Sequence, residues 1–240
     1  MAKKNYVLKI NKDKDFLRQR CDEVSMGYLQ QPAVKKLVND IKDTLLASKD
    51  LVALSASQLG KNERVFCIKF ANGKVKEFIN PVITKTSGSH LSRETSIGLD
   101  STEYIVPRAD EIIATYQTTE MIDTCDMNKF SGAVAEVFQQ MNDMLNGVLL
   151  EDIGLEIIDG WDEASAEERE EIIKMYLESL EKRKALVEKQ IEENPDSKDM
   201  NKAIEFMKQL EAGKIETMPF TEEELKQIAE KEKELDKEHE

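Results

Sequence analysis

The stretch GAVAEVFQQMNDMLNGVLL, residues 132–150, decides the fold because it predicts the central helix of the first half of the chain. We expect it to be the longest helix there. Gly147 fits its C-terminal end, where a residue without a Cβ atom tolerates left-handed backbone. Gln140 and Met144 stand four residues apart and therefore lie on one helix face. Two histidines at this spacing can bind one metal ion, but neither of these two positions is a histidine here.

The remainder of the first half mixes helix and strand. Residues 32–48, PAVKKLVNDIKDTLLAS, place apolar side chains at three- and four-residue steps and predict an amphipathic helix. Runs rich in β-branched and aromatic residues follow at 64–70, 77–86 and 104–117. The sequence therefore predicts an α+β domain in which antiparallel sheets surround a central helix, followed by a C-terminal helical extension.

Charge is distributed unevenly along the chain. The net charge is −14, and residues 161–240, with 25 acidic and 14 basic side chains, contribute −11 of it. The polar cluster after Gly160 interrupts the preceding apolar pattern. We therefore divide the chain into a domain at residues 1–155 and an acidic helical extension at residues 156–240.

The extension contains signals for the ends of helices. Ser165 and Glu168 form a capping box at the start of a first helix, and residues 194–195, Asn-Pro, end it. A second apolar stripe occupies residues 203–210 and ends at Gly213. Thr221 and Glu224 repeat the capping box and predict a terminal helix. Two arrangements remain open. The helices form a hairpin that folds back on itself or on the domain, or they form an arm that binds a partner or joins copies of the chain into an oligomer.

Composition and charge exclude several classes of partner. An acidic chain is repelled by phosphate backbones, so we expect no nucleic acid partner, and anionic membrane surfaces are disfavoured for the same reason. No apolar run approaches the roughly 20 residues that span a bilayer, and residues 1–14 lack the apolar core of a signal peptide. The three cysteines, Cys21, Cys67 and Cys125, are widely spaced and predict buried free thiols. We predict a cytoplasmic protein whose partner is a protein or peptide.

Three segments resemble, in order, the motifs of the peptide deformylases. LVALSASQLG at residues 51–60 is similar to the family's G-x-G-L-A-A-x-Q, and ETSIGLDSTEYIVPR at residues 94–108 is similar to E-G-C-L-S. The helix at residues 132–150 is similar to Q-H-E-x-D-H. The resemblance runs from about Tyr6 to about Asp152. It implies the deformylase fold, removal of formyl from N-formylmethionine peptides, and an iron or zinc ion held by one cysteine and two histidines.

The chain departs from the family pattern at the residues that bind the metal ion and transfer protons. The family's cysteine ligand falls at Ser96, and its two histidine ligands fall at Gln140 and Met144. The catalytic glutamate falls at Met141, which has no group that accepts a proton. A neutral amide is a weak ligand, and a thioether suits Cu(I) better than Fe(II) or Zn(II). These departures from the family pattern therefore imply a chain without a bound cofactor and without deformylase activity.

Other positions keep the family's residues. Gln58 matches the glutamine that donates a hydrogen bond to the developing oxyanion, and Ile97 matches the residue whose backbone N–H shares that task. Arg108 and Asp143 match a family arginine and aspartate, and we expect them to form a structural ion pair. A role of this pair in binding remains the alternative.

Three functions remain open at this point. The first is a catalytically inactive deformylase homologue that acts as a binding or scaffolding module. The second is an active deformylase or amidase with an atypical site, in which Ser96, Gln140 and Gln58 serve as ligands or activators. The third is a structural component of a larger assembly or virus particle. The two histidines, His90 and His239, are expected in a loop and near the terminus, where neither replaces the lost ligands.

Overall fold

The computed structural model describes residues 10–95, 102–121, 124–157, 160–162 and 164–193. Within these ranges the helices are α1 (Ile10–Leu17), α2 (Pro32–Ala47), α3 (Gly132–Leu145), α4 (Leu150–Ile153) and α5 (Ala166–Glu193). The strands are β1 (Ala53–Ser55), β2 (Val65–Lys69), β3 (Val75–Ser87), β4 (His90–Thr95), β5 (Glu103–Arg108), β6 (Glu111–Gln117), β7 (Asp126–Ser131) and β8 (Leu155–Glu156).

The strands form two antiparallel sheets around α3. The larger sheet has the order β1-β2-β3-β6-β7, and the smaller sheet has the order β4-β5-β8. Helix α3 packs against β1, β2, β6 and β7 of the larger sheet. The predicted α+β arrangement of antiparallel sheets around a central helix is therefore confirmed, with a C-terminal helix following it.

The central helix is shorter than we expected. Helix α3 has 14 residues and α2 has 16, so the prediction that α3 would be the longest helix of the first half is wrong. Helix α3 stops at Leu145 because Gly147 adopts a φ of 76°. A Cβ atom at Gly147 would overlap the backbone carbonyl of Arg18, so glycine permits the close approach of the chain segment after α1.

Aromatic residues form the centre of the core between α3 and the larger sheet. Phe138 of α3 meets Phe66 and Phe78 edge-on, with ring centroids 5.0 and 5.2 Å apart. Edge-to-face contacts add to the free energy gained by burying aromatic surface. On the outer side, Ile41 and Leu45 from the apolar stripe of α2 are fully buried against residues of β1 and β2. The sheet is therefore covered on both faces by helices.

The start of the C-terminal extension packs on the domain. The N–H of Ser165 donates to the carboxylate of Glu168 at 2.9 Å, and the N–H of Glu168 donates to the Ser165 hydroxyl at 3.2 Å. This is the predicted capping box at the start of α5. Further along α5, the Tyr176 hydroxyl donates to the carbonyl of Ile153, and Leu180 is also buried. Helix α5 is thus attached to the domain through Tyr176.

The division of the chain at residue 155 and the hairpin in the extension stay predictions. Residues from 194 onward, which carry the second apolar stripe, lie outside the described residues. Strand β8 crosses the proposed division, since Leu155 and Glu156 pair with Ile105 and Tyr104 of β5. Within the ranges described above, no helix has both the length and the apolar character needed to cross a bilayer.

Candidate functional site

Gln139 anchors the helix that carries the candidate site. Its Oε1 accepts a hydrogen bond from the N–H of Ala109, and its Nε2 donates to the carbonyl of Ala109, both at 3.0 Å. A side-chain amide offers one acceptor and two donors, so a single residue satisfies both backbone groups of Ala109. These bonds join α3 to the turn between β5 and β6, and they set which side chains α3 presents to the smaller sheet.

A buried ion network lies beside this anchor. Arg108 of β5 donates from Nε and Nη2 to the carboxylate of Glu94 at 2.6 and 2.8 Å. Its Nη1 donates to Asp143 of α3 at 2.5 Å. The structure thus brings Arg108 and Asp143 together and adds Glu94, which sequence reasoning missed. Glu94 could have been found from the sequence, because it is the first residue of the second motif.

The network contains one cation and two carboxylates. Burial raises the pKa of Asp143 to about 6, although the charge of Arg108 acts in the opposite direction. Burial lowers the pKa of Arg108, but the charges of Asp143 and Glu94 and the hydrogen bonds to them outweigh it, so the pKa stays above its ordinary value. Because each side chain comes from a different element, the network ties α3 to both β4 and β5.

Met141 and Met144 occupy the positions that the resemblance assigns to the catalytic glutamate and to one histidine ligand. Each is only 3% exposed, and both belong to the same apolar cluster as Phe138 and Leu145. Methionine is flexible and fills irregular space in a core. The structure therefore places apolar packing at two positions where the family pattern has polar side chains.

Gln140 contacts the end of the smaller sheet. Its Nε2 donates to the backbone carbonyl of Thr95 at 2.9 Å, and the side chain is half-buried. Thr95 is the last residue of β4, and the next two residues, Ser96 and Ile97, lie outside the described residues. Gln140 is thus held beside the strand end that leads to Ser96, with its amide group already bonded.

Gln58, which follows β1, has a fixed orientation. Its Oε1 accepts hydrogen bonds from the backbone N–H of Ser55 at 3.0 Å and from the Ser55 hydroxyl at 3.1 Å. A backbone N–H only donates, so the carbonyl end of the Gln58 amide must face Ser55. The Nε2 group is therefore the end that can donate to another partner. Among the predicted site residues, Gln58 keeps the polar group that the family uses.

The structure corrects the prediction for His90. It is the first residue of β4 and not a loop residue, because the turn after β3 takes only two residues. Its Nδ1 lies 2.6 Å from Oδ1 of Asp110, and its Nε2 lies 3.1 Å from Oε1 of Glu136. Both ring nitrogens are engaged, so neither is open to a metal. His239 lies outside the described residues.

At the two described positions of the family's metal site, the donors do not fit iron or zinc. Zinc sites use thiolate, imidazole and carboxylate donors. The described positions instead hold Gln140, bonded to Thr95, and Met144, packed in the core. In the described part of the chain, no cluster of three or more histidine, cysteine, aspartate or glutamate residues is arranged to hold a metal ion. What the arrangement offers chemically is hydrogen bonding by side-chain amides.

Comparison with known proteins agrees with the motifs. Residues 6–154 match the family model described as polypeptide deformylase. A peptide deformylase from Fusobacterium nucleatum is 26% identical over 153 residues, which cover 60% of this chain and 81% of that protein. The match to the family ends at residue 154, so the whole of α5 lies beyond it.

Solved structures show the same fold. A peptide deformylase from Thermotoga maritima is 25% identical, with a TM-score of 0.56, and the similarity covers 63% of this chain and 97% of that one. A class I type b peptide deformylase from Acinetobacter baumannii, solved with Met-Ala-Ser bound, is 23% identical with a TM-score of 0.56. That similarity covers 64% of this chain and all of the other.

Proposed function

Because the chain belongs to the peptide deformylase family, we propose that it is a member that has lost the deformylase reaction and keeps the fold as a module that binds a peptide or protein. The observation that carries this proposal is the burial of Met141 and Met144 in the apolar core. In the family pattern these positions hold the proton-transferring glutamate and a metal ligand. Here neither side chain ionises, and neither is open to solvent.

The changes affect both requirements of hydrolysis. Attack on a formyl group needs a nucleophile, and a bound metal supplies one by lowering the pKa of water from about 15.7 to about 7. An amide at Gln140 and a thioether at Met144 do not form such a site with iron or zinc. Proton transfer to the leaving amine also needs a positioned acid or base, and Met141 provides none. Loss of these functions together supports an inactive homologue.

The binding part of the proposal rests on Gln58. Its carbonyl end is fixed by Ser55, so Nε2 is the end of the amide that would meet the carbonyl oxygen of a peptide. Gln58 is only 1% exposed, so the proposal requires the peptide to reach the interior of the fold beside β1. The related Acinetobacter baumannii protein was solved with Met-Ala-Ser bound on the same fold. The net charge of −14 favours neutral or basic peptides over nucleic acids. A short peptide is therefore the class of ligand that we propose.

The test is a titration of the full chain with formyl-Met-Ala-Ser and with Met-Ala-Ser, followed by calorimetry and by an assay for released formate. We expect binding without formate release. Gln58→Ala should weaken binding, because the donor to the peptide carbonyl is removed. Gln19→Ala changes an exposed glutamine outside the site and is the matched control. Absence of binding by both peptides would contradict the proposal.

A second candidate function, an active deformylase or amidase with an atypical site, is favoured by the retention of Gln58 in a fixed orientation. The same assay separates it from the first. Release of formate in the presence of added iron, nickel or zinc, abolished by Gln58→Ala and retained by Gln19→Ala, would establish activity. In that case the protein is an enzyme and the module proposal is wrong.

A further inference from the structure

Strand β4 faces the interior of the fold with polar side chains. Its residues alternate, so that His90, Ser92 and Glu94 point inward while Leu91 points outward and is 41% exposed. Among the described residues, none of β4 belongs to an apolar cluster of the core. Contacts between ionisable side chains change with pH, because their charges change. We therefore expect the attachment of this strand to depend on pH.

Glu136 of α3 binds two of the inward side chains. Its Oε1 lies 3.1 Å from Nε2 of His90, and its Oε2 accepts a hydrogen bond from the hydroxyl of Ser92 at 2.9 Å. Gln140 stands four residues further along α3 and donates to the carbonyl of Thr95, the last residue of β4. Glu136 and Gln140 lie on one face of the helix and hold the two ends of the strand against it.

Asp110 holds the other side of the His90 ring. It lies in the turn between β5 and β6, and its Oδ1 is 2.6 Å from Nδ1 of His90. Gly88, in the turn before β4, has a φ of 68°, and a Cβ atom there would overlap the Asp110 carboxylate. This close approach leaves the carboxylate little freedom to turn away from the ring. The ring is therefore clasped between carboxylates from two separate elements.

The number of protons on His90 decides how many of these contacts are hydrogen bonds. A neutral imidazole has one N–H group and one lone pair, whereas an imidazolium ion donates from both nitrogens. With both protons, the ring donates to Asp110 and to Glu136 at the same time. With one proton, one of the two contacts places a lone pair against a carboxylate oxygen, and that contact becomes repulsive.

The remaining charge near the ring comes from Arg108, which lies opposite His90 in the pairing of β4 with β5. The guanidinium group of Arg108 is bonded to two buried carboxylates. The charged groups that face the ring are therefore Asp110 from the turn, Glu136 from α3 and Arg108 from β5. Only the two carboxylates contact the ring, and they attract it when it is positively charged.

We propose that His90 is a pH-sensitive clasp between β4 and α3. With both ring nitrogens protonated it holds the strand on the helix, and after the loss of one proton at higher pH the strand separates more readily. Because β4 ends at Thr95, to which Gln140 is bonded, the clasp controls how firmly the strand lies beside Gln140. The proposal concerns only the attachment of β4, so it holds whether or not the protein binds a peptide.

Hydrogen exchange of the full chain, followed by mass spectrometry, tests the clasp. It is measured at about pH 5.5 and about pH 8, near the two ends of the range in which an ordinary histidine changes its charge. After correction for the intrinsic effect of pH on exchange, the protection of residues 90–95 should fall by about tenfold at the higher pH, since a hydrogen bond between charged groups is lost. Protection of residues 65–69 in β2, which reports unfolding of the whole domain, should fall by much less.

Two substitutions with opposite effects identify the titrating group. In Glu136→Gln the side-chain amide donates to a neutral imidazole while Nδ1 still donates to Asp110, so residues 90–95 should stay protected at both pH values. In His90→Ala both contacts are lost, so protection should be low at both pH values. His239→Ala replaces the other histidine of the chain and is the matched control, which should behave like the native protein.

Three results would overturn the proposal. An equal fall in residues 65–69 and 90–95 would mean that the whole domain opens rather than β4. A fall that persists in Glu136→Gln or in His90→Ala would place the titrating group elsewhere. Protection of β4 in the native protein that does not change between the two pH values would show that the neutral ring holds the strand as firmly as the charged ring.

Discussion

Two neighbouring faces of α3 differ in what they hold. One face carries Gln139 and Asp143, which bond to Ala109 and to Arg108 and so join the helix to the sheets. The next face carries Gln140 and Met144, where the family pattern has metal ligands. The residues that anchor α3 and the positions of the family's metal ligands point in different directions. Substitutions at the ligand positions therefore leave the anchoring contacts intact. The packing of the deformylase fold is therefore compatible with the loss of the reaction that we propose.

The largest effect is expected from the anchoring face. Arg108→Met removes the cation from between Glu94 and Asp143 and leaves two buried carboxylates close together. Breaking a buried ion pair in this way costs about 3–5 kcal/mol. We expect the free energy of unfolding in urea to fall by that amount. Arg93→Met is the control, because Arg93 also contacts two carboxylates but is exposed, and its midpoint should hardly move.

A smaller loss of stability is expected when the side chain of Met144 is truncated. Met144→Ala leaves a cavity in the apolar core, and a buried methionine truncated to alanine costs about 2–5 kcal/mol. Urea unfolding measures this directly. Met127→Ala, at an exposed site on β7, is the control and should cost almost nothing. If Met144→Ala were also neutral, the position would be open and loosely packed, and the contrast between the two faces would fail.

The stability of the fold should depend on pH through Asp143 on the anchoring face of α3. The pKa of Asp143 is raised from its ordinary value of 3.8 to about 6, so the folded state binds this proton more tightly than the unfolded state. The contribution of this group to stability is fully present below about pH 4 and is lost as the pH rises through about 6, with a slope of up to about 1.4 kcal/mol per pH unit.

Urea unfolding between pH 4 and pH 7, for the native chain and for Asp143→Asn, tests whether stability falls as the pH rises. The variant side chain does not titrate, so its stability should lack the Asp143 slope. A difference between the two curves that does not change with pH would show that Asp143 has the same proton affinity in the folded and unfolded states.

The smallest effect is expected at Gln140. Its amide makes one hydrogen bond, to Thr95, from a half-buried position. Gln140→Ala should cost about 1 kcal/mol or less. Gln58→Ala should cost more, about 1–3 kcal/mol, because it leaves the buried N–H of Ser55 without its acceptor. An equal loss of unfolding free energy in the two variants would mean that Gln140 contributes as much to stability as Gln58.

Features set by neighbouring residues were predictable from the sequence. The stripe of α2, the capping box at Ser165 and the helix end at Gly147 are local signals, and each is found in the structure. The order of the three motifs predicted the deformylase fold. The strand position of His90 was missed, because β4 is defined by its pairing with β5, in which His90 lies opposite Arg108. The prediction of buried thiols is wrong for Cys125, which is exposed just before β7, whereas Cys21 and Cys67 are buried.

The candidate site was only partly predictable for the same physical reason. Sequence spacing assigned Gln140, Met141 and Met144 to one helix, but it did not show that the two methionines are buried. Burial depends on β-strands and on α1, which reach α3 from distant parts of the chain. Glu94 was likewise missed because its contact with Arg108 depends on strand register.

The metal content of the purified chain tests the central claim most directly. The full chain is purified without chelator and analysed for iron, nickel and zinc, with the Fusobacterium nucleatum deformylase prepared in parallel as the positive control. The account predicts far less than one ion per chain here and a stoichiometric ion in the control. One ion per chain, lost in the variant Gln140→Ala, would contradict the account and place a working metal centre on the changed face of α3.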